Sequence, residues 1–374
     1  RCRRMRATWA MASPQPSPGM TLERRYFIDD DILATETENI FHHRWLYLAR
    51  ESDLENSGDF ITVNLAGEDL LVVRDGETVR VHHNHCRHRG TQLCSETGGQ
   101  SARVFTCPYH AWSYGLDGRL IGAPHMEETS GFDKTNYLLH APAQVVWEGN
   151  VFVNFADKPE PFEQAYGPIL TKFDAWHWGE LGIAHTEVYE VAANWKLIVQ
   201  NYSECYHCPI IHPELEKLSH YRATENDLTE GPFLGGPMQI AREGGGLSTG
   251  GERTAPPLPG VTGADLQNAY YYHLFPSLLV SFQPEFVLMH HLERVAVNHT
   301  RITCHWLYHP EAIATDGFNA QPAVELWDKI NRQDWNVSEL TQLGLASRAH
   351  TPGPYSALES MPAAFDREYL RAME

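Results

Sequence analysis

The chain has 374 residues, enough for two or three domains with substantial cores. Its 48 acidic residues against 29 basic ones give a formal charge of -19, which excludes the clustered basic surface that a nucleic-acid backbone requires. No apolar run approaches the roughly 20 residues of a membrane-spanning helix, and seven cysteines without a secretion signal argue for metal ligation or buried thiols in a reducing cytoplasm rather than for disulfides.

In chain order, residues 1–20 are basic and then Pro-rich, and are expected to be a disordered tail or an over-long reading, with Met5, Met11 and Met20 as possible starts. Residues 21–45 are expected to form an N-terminal helical segment. From Asp59 to Phe155 short β-branched runs (FITVNL, DLLVVR, TVRVHHNH, RVFTC, QVVWEG, NVFVNF) alternate with turns such as DGE and LDGR, so 46–158 reads as an all-β domain. Within it Cys86-Arg87-His88 and Cys107-Pro108-Tyr109-His110 each place one cysteine and one histidine on a tight loop. Two thiolates and two imidazoles can hold a tetrahedral zinc, or a [2Fe–2S] cluster with its cysteines on one iron and its histidines on the other. Zinc fingers usually pair like with like; one of each per loop suits the cluster. Cys86-Arg-His88-Arg-Gly90 followed by Cys107-Pro-Tyr-His110-Ala-Trp112 resembles the Rieske motif. His82, His83 and His85 alternate along a strand and read as structural, and Cys94 as a buried thiol.

The second domain is placed at 159–374. Phe162, Tyr166, Ile169, Leu170 and Phe173 have helical spacing; Ala184–Ala192 reads as a strand. Asn194 is a plausible cap for a helix running to Cys208, with Trp195, Ile198, Val199, Tyr202 and Tyr206 on one face and Leu197, Asn201, Glu204 and Cys208 on the other. Pro209 should end or kink that helix and bring His212 toward His207. Two converging imidazoles fit either a metal pair or ordinary histidines. A Gly/Pro-rich stretch, 231–263, follows, and its EGGGLSTGG piece lacks the strand, helix and lysine of a phosphate loop, so it reads as a flexible loop. Four strand-like runs come next, Asn268–Phe275, Ser277–Phe282, Phe286–Val297 and Arg301–Tyr308, then helices over Ala323–Leu345 and Ser356–Met373. On the first of these helices Ala323, Trp327, Ile330, Asp334 and Val337 form one stripe, so Asp334 is the acid on the buried face, where a carboxylate must be paired or bind a cation. Glu325, Asp328 and Glu339 read as solvated.

Asn201-Tyr-Ser-Glu204-Cys-Tyr-His207-Cys-Pro-Ile-Ile-His212-Pro resembles the catalytic-iron segment of Rieske non-heme iron oxygenases, and with the Rieske motif the resemblance covers nearly the whole chain from about residue 25. It implies an α+β architecture, an all-β Rieske domain joined to a helix-grip catalytic domain of antiparallel sheet and helices. It implies Fe(II) held by His207, His212 and an acid, for which Asp334 is the candidate, and Glu204 as the acid bridging His207 to the neighbouring subunit's His110. It further implies a homotrimer, a small-molecule substrate with O2, and an NAD(P)H-dependent flavin/iron–sulfur reductase as electron donor. Aromatic-ring dioxygenases usually carry Asp at the bridging position. Glu-Cys-Tyr-His-Cys is closer to the oxygenases of quaternary amines such as carnitine and glycine betaine. The expected substrate is therefore a small quaternary or tertiary amine, with Tyr271 and Phe282, among the aromatics Tyr270, Tyr272, Phe275 and Phe286, as candidate contacts. An aromatic acid is the alternative substrate, and an electron carrier fused to a ligand-binding domain is the alternative to an enzyme.

Overall fold

A computed structural model describes residues 18–101 and 103–374. The expected tail falls mostly outside the described residues; its last positions are paired, with Met20 bridged to Pro354 and the Tyr355 amide donating to the Gly19 carbonyl at 2.9 Å.

Two short helices, α1 (Arg25–Ile28) and α2 (Asp30–Glu36), run into a π-helical turn at Thr37–Phe41. Three small antiparallel sheets follow. Strands β1 (Leu46–Arg50), β9 (Ala143–Trp147) and β10 (Asn150–Asn154) form one sheet; β2 (Asp59–Leu65), β3 (Glu68–Asp75), β4 (Thr78–His83) and β5 (Gly98–Gln100) form another; β6 (Val104–Thr106), β7 (Ser113–Gly115) and β8 (Leu120–Gly122) form the third. The alternating runs of the sequence supply these strands, and between the last two sheets lies a core of Phe60, Leu71, Val73, Cys86, Cys107, Trp112 and Tyr114.

The expected helix over Phe162–Phe173 is one short turn, α3 (Phe162–Ala165), and then irregular turns. Phe162, Tyr166, Ile169 and Phe173 are nonetheless all buried. Gly167-Pro168 breaks the helix, while the apolar positions still reach the core.

The remaining elements are β11 (Gly182–Val191), α4 (Trp195–Tyr202), α5 (Cys208–Ile211), α6 (Leu215–Leu218), β12 (Phe233–Gln239), β13 (Asn268–Leu274), β14 (Leu278–Phe282), β15 (Val287–Ala296), β16 (His299–Tyr308), α7 (Pro310–Ile313), α8 (Gln321–Leu345) and α9 (Ser360–Met373). The strands make one six-stranded antiparallel sheet in the order β11-β16-β15-β14-β13-β12. Its two-residue alternation sends Leu279 and Leu288 to the face covered by α4, α8 and α9, and Leu278, Val280, Phe282, Val287 and Met289 to the opposite face, against α3 and its following turns. The Gly-rich stretch hides the edge strand β12, in which Gly235 and Gly236 leave no room for a side chain against Tyr271 and Glu225. EGGGLSTGG is packed rather than flexible: Gly245 bridges Glu252, Leu247 and Ser248 are buried, and the Thr249 amide donates to Pro322. Among the described residues no helix is long and apolar enough to cross a membrane.

Candidate functional site

Two loops with similar backbone turns build the first site. Cys86 and His88 follow β4, where the Gly90 amide donates to the Cys86 carbonyl at 2.9 Å; Cys107 and His110 join β6 to β7, where the Ala111 amide donates to the Cys107 carbonyl at 3.1 Å. Each loop closes through a left-handed residue, Gly90 and Ala111. Both thiols are buried, and Cys86 faces Cys107 and lies 3.3 Å from the Tyr114 hydroxyl; burial first, and Cys107 beside it, raise its pKa. The imidazoles lie outward, His88 exposed and His110 half-buried, with ring centroids 4.7 Å apart. Thiols inside and imidazoles at the rim fit a two-iron cluster whose irons take different ligand pairs. His82 Nε2 donates to the Leu116 carbonyl, His83 pairs with Glu68, and Cys94 is a buried thiol pushed up to about 11 by burial and by Glu96 and Asp69.

The second site starts at α4. Asn194 caps it, its side chain accepting from the Lys196 amide at 3.1 Å, and Trp195 through Val199 are buried. The helix stops at Tyr202, not at Cys208 as the spacing predicts. Ser203 bonds back to the Val199 carbonyl, and Glu204 turns to accept from the Tyr206 amide, so local side-chain bonds replace the helical ladder. Tyr206 therefore leaves the buried face and is 54% exposed. Pro209 lies in the first turn of the new helix α5, where a missing donor costs nothing, and His212 follows that helix.

These turns and α8 bring together His207, His212 and Asp334, whose ligand atoms all lie within 4.8 Å of one another. The Nε2 atoms of His207 and His212 approach Asp334 Oδ1 at 3.3 and 2.8 Å, and the rings cross at 80°. The opposite nitrogens are held as well: His207 Nδ1 by Glu204 Oε1 at 2.7 Å and His212 Nδ1 by Gln333 Oε1 at 2.8 Å. Burial pulls His207 down, but the Asp334 and Glu204 carboxylates outweigh it and raise it to about 10; burial pushes Asp334 up, but the two histidines win and lower it. Two imidazoles and a carboxylate, each imidazole oriented from behind, are a donor set that suits Fe(II) with open positions.

A cavity of about 790 Å³ opens on this cluster. Three rings line part of it, Tyr202, Tyr271 and Trp327, with centroids 6.2 Å apart for the first pair and 6.0 Å for the second. Arg222 is the only arginine or lysine among the lining residues. Of the two aromatic candidates, Tyr271 lines the cavity and Phe282 does not. Phe282 is stacked on Phe173 at 4.0 Å on the other face of the sheet, because alternation along β13 and β14 sends only every second side chain toward the iron side.

Three more expectations are corrected. Cys205 and Cys208 form a disulfide around His207, since the turn between α4 and α5 brings their Cα atoms to 4.9 Å, within bonding reach. Asp328 accepts from the Tyr189 hydroxyl at 2.8 Å, and Glu339 accepts from the Ala192 amide at 2.9 Å, so both tie α8 to the sheet edge rather than standing in solvent. From the sequence, Tyr202 and Trp327 are named only as packing positions, and Gln333 and Arg222 are not singled out; Trp327, seven residues before Asp334, lies on the same helical stripe.

A family model described as the Ring hydroxylating alpha subunit (catalytic domain) matches residues 179–374, and one described as the Rieske [2Fe-2S] domain matches residues 44–138. The glycine betaine monooxygenase oxygenase subunit of Pseudomonas aeruginosa is 28% identical over 374 residues, covering 90% of this chain and 85% of the relative. The carnitine monooxygenase oxygenase subunit of Escherichia coli is 35% identical over 203 residues, about half of each chain (53% and 54%). Among solved structures, the quaternary ammonium Rieske monooxygenase CntA superposes with a TM-score of 0.79 at 24% identity over 94% of each chain, and a naphthalene 1,2-dioxygenase from Rhodococcus with 0.76 at 19% identity, also over 94% of each. Both structures share the fold.

Proposed function

The chain belongs to the ring-hydroxylating oxygenase alpha subunits, with their Rieske [2Fe–2S] cluster and mononuclear iron, and on that premise we propose that it is the oxygenase component of a monooxygenase that demethylates a quaternary or tertiary amine. Cys86, Cys107, His88 and His110 would hold the cluster, and His207, His212 and Asp334 the mononuclear iron. Bound iron supplies open positions for O2 and, with electrons relayed from the cluster, the oxidising equivalent for a substrate C–H bond.

The observation that carries the substrate class is the aromatic wall of Tyr202, Tyr271 and Trp327 facing the cavity. A permanent cation is attracted to such faces by the ring quadrupoles. His273, on the same wall, is pulled down to about 4 by burial and so adds no opposing charge near neutrality. Arg222 is exposed, with its Nε donating to the Tyr221 hydroxyl at 2.7 Å, and could receive an anionic end of the substrate. The quaternary amine relatives support the same class. Overall, O2, two electrons and two protons convert an N-methyl group to a carbinolamine and water. The carbinolamine then breaks its C–N bond to give formaldehyde and the demethylated amine.

Electrons would come from an NAD(P)H-dependent reductase in the cytoplasm and cross between subunits of a homotrimer, from His110 of one to Glu204 and His207 of the next. Exposed apolar residues stand at both ends of that route: Tyr109 (56% exposed) beside His110, and Tyr206 and Ile210 (54% and 83%) beside His207. Light scattering of the purified protein should give three times the monomer mass. The function is tested with a panel of betaines, carnitine, choline and aromatic acids and a surrogate reductase, scored by O2 uptake and formaldehyde. Coupled turnover of an amine with one formaldehyde per O2 is expected; coupled turnover of an aromatic acid, with no response to any amine, would overturn the substrate class.

A further inference from the structure

Resting on the reading of His207, His212 and Asp334 as the iron ligands, we propose that Gln333 is the positioning residue of His212, the group that holds its Nε2 lone pair on the metal. Gln333 and Asp334 are consecutive on α8, so their side chains leave the helix about 100° apart. The imidazole of His212 sits in the fork between them, with Nε2 2.8 Å from Asp334 Oδ1 and Nδ1 2.8 Å from Gln333 Oε1. One helix therefore contacts both nitrogens of one ring.

An amide oxygen can only accept. Its bond to Nδ1 therefore requires the proton there, so that the neutral ring presents Nε2 as its lone pair, the tautomer a metal needs. His212 is 2% exposed, so solvent is in no position to replace the amide. Its backbone is tied to the Cys208 carbonyl at 2.8 Å and to the Glu216 amide at 3.0 Å, which places the ring but leaves its rotation about χ2 to its side-chain partners. The partner histidine is held differently: Glu204 is a charged acceptor on His207 Nδ1. With Asp334 and Glu204 already placing two carboxylates at the site, a neutral acceptor on His212 orients the ring without adding a third.

The test uses the protein with its Rieske cluster assembled and the mononuclear site emptied by a chelator, titrated with Co(II). Gln333→Leu fills the same space without an acceptor, and it is expected to weaken Co(II) binding by about 10- to 100-fold. The Rieske absorbance and the melting temperature should stay at the parent values. Gln333→Glu keeps an accepting oxygen and should bind Co(II) to within about threefold of the parent. In the Co(II)-loaded parent, the shifted exchangeable proton of His212 Nδ1 should be visible by NMR, and in Gln333→Leu its resonance should move, having lost its acceptor. If the Leu variant is poorly folded, Gln333→Met carries the same expectation. Parent-like affinity in Gln333→Leu, or equal losses in the Leu and Glu variants, would overturn the proposal. His212→Ala separates this from the ligand reading: if that variant also binds Co(II) like the parent, the ligand assignment has failed rather than the role of Gln333.

Discussion

A carboxylate such as Asp334, set between two imidazoles on the apolar face of a helix, is stable there either as a partner of protonated histidine or as a metal ligand. Acceptors on both nitrogens satisfy a protonated imidazole; when a metal takes Nε2, the same Glu204 and Gln333 acceptors on Nδ1 orient the ring, and the mononuclear iron of the family supports this second state. His207→Ala, His212→Ala or Asp334→Ala should accordingly lose the mononuclear iron, read by metal analysis, while the Rieske spectrum persists, since the two sites share no ligand. Iron retained at one per chain in Asp334→Ala would move the third ligand elsewhere. Glu204 makes a second prediction. Glu204→Gln keeps the shape and removes the charge that the proposed intersubunit route would use beside His207, so both metal sites should fill while single-turnover oxidation of the reduced cluster slows by at least about 10-fold. Unchanged oxidation kinetics would take Glu204 off the electron route.

Helix α4 carries the segment that ends in Glu204 and His207, and its position depends on a buried ionic cluster rather than on apolar packing alone. Glu36, at the end of α2 and fully buried, accepts from Trp195 Nε1 at 2.9 Å and the Tyr369 hydroxyl at 2.8 Å, pairs with Lys196 Nζ, and lies 3.5 Å from Arg294. It joins α2, α4, β15 and α9 at one point. Glu36→Ala would leave two buried cations without their carboxylate, and removal of one partner from a buried pair costs about 3–5 kcal/mol. Urea unfolding followed by circular dichroism should show a loss of that order; a loss below about 1 kcal/mol would mean that the cations find water or another acid. The same element-level logic explains the shortened helix. Its spacing continues past Tyr202, but the side chains of Ser203 and Glu204 offer the backbone closer partners, and the resulting turn carries His207 to Asp334.

Across the whole molecule, buried titratable groups outside the metal site set how stability depends on pH. His273, His290, His291 and His305 are each held down to about 4, chiefly by burial. Their folded values lie below the unfolded value of about 6.5, so the unfolded chain binds more protons in that window. Their contribution is complete above about 6.5 and is lost as pH falls toward 4. Glu285 and Asp366 oppose them, raised by burial to about 7 and about 6; their contributions are complete below their unfolded values of about 4.5 and about 3.8 and fade as pH rises. Four groups against two leave a net rise of stability with pH between 4.5 and 6.5, at most about 2.7 kcal/mol per unit. The urea midpoint of the holoprotein should therefore be lower at pH 5 than at pH 6.5. A higher midpoint at pH 5 would mean that the histidines are hydrated in the folded state.

What the sequence determined by itself is local chemistry and period. The Cys/His loops, the convergence of His207 and His212, and the stripe that carries Asp334 were readable because they are properties of a few adjacent residues, while their reading as ligands came from the family resemblance. The β-branched runs likewise marked most of the sheet strands, but not β1, the three-residue β5, β7 and β8, or the Gly-containing β12, whose signal is packing against β13 rather than composition. Which face of a strand met the cavity was a different matter. Tyr271 and Phe282 look alike in the sequence, and only the register of β13 against β14, with α4, α8 and α9 on one face and α3 and its turns on the other, sends one to the cavity and the other to the opposite core. The bridge between Cys205 and Cys208, the acceptor role of Gln333 and the aromatic wall of Tyr202, Tyr271 and Trp327 are tertiary facts. Each depends on elements far apart in the chain coming into contact, or on a turn that long-range packing imposes on a segment with helical spacing, and such contacts leave no mark in the local pattern.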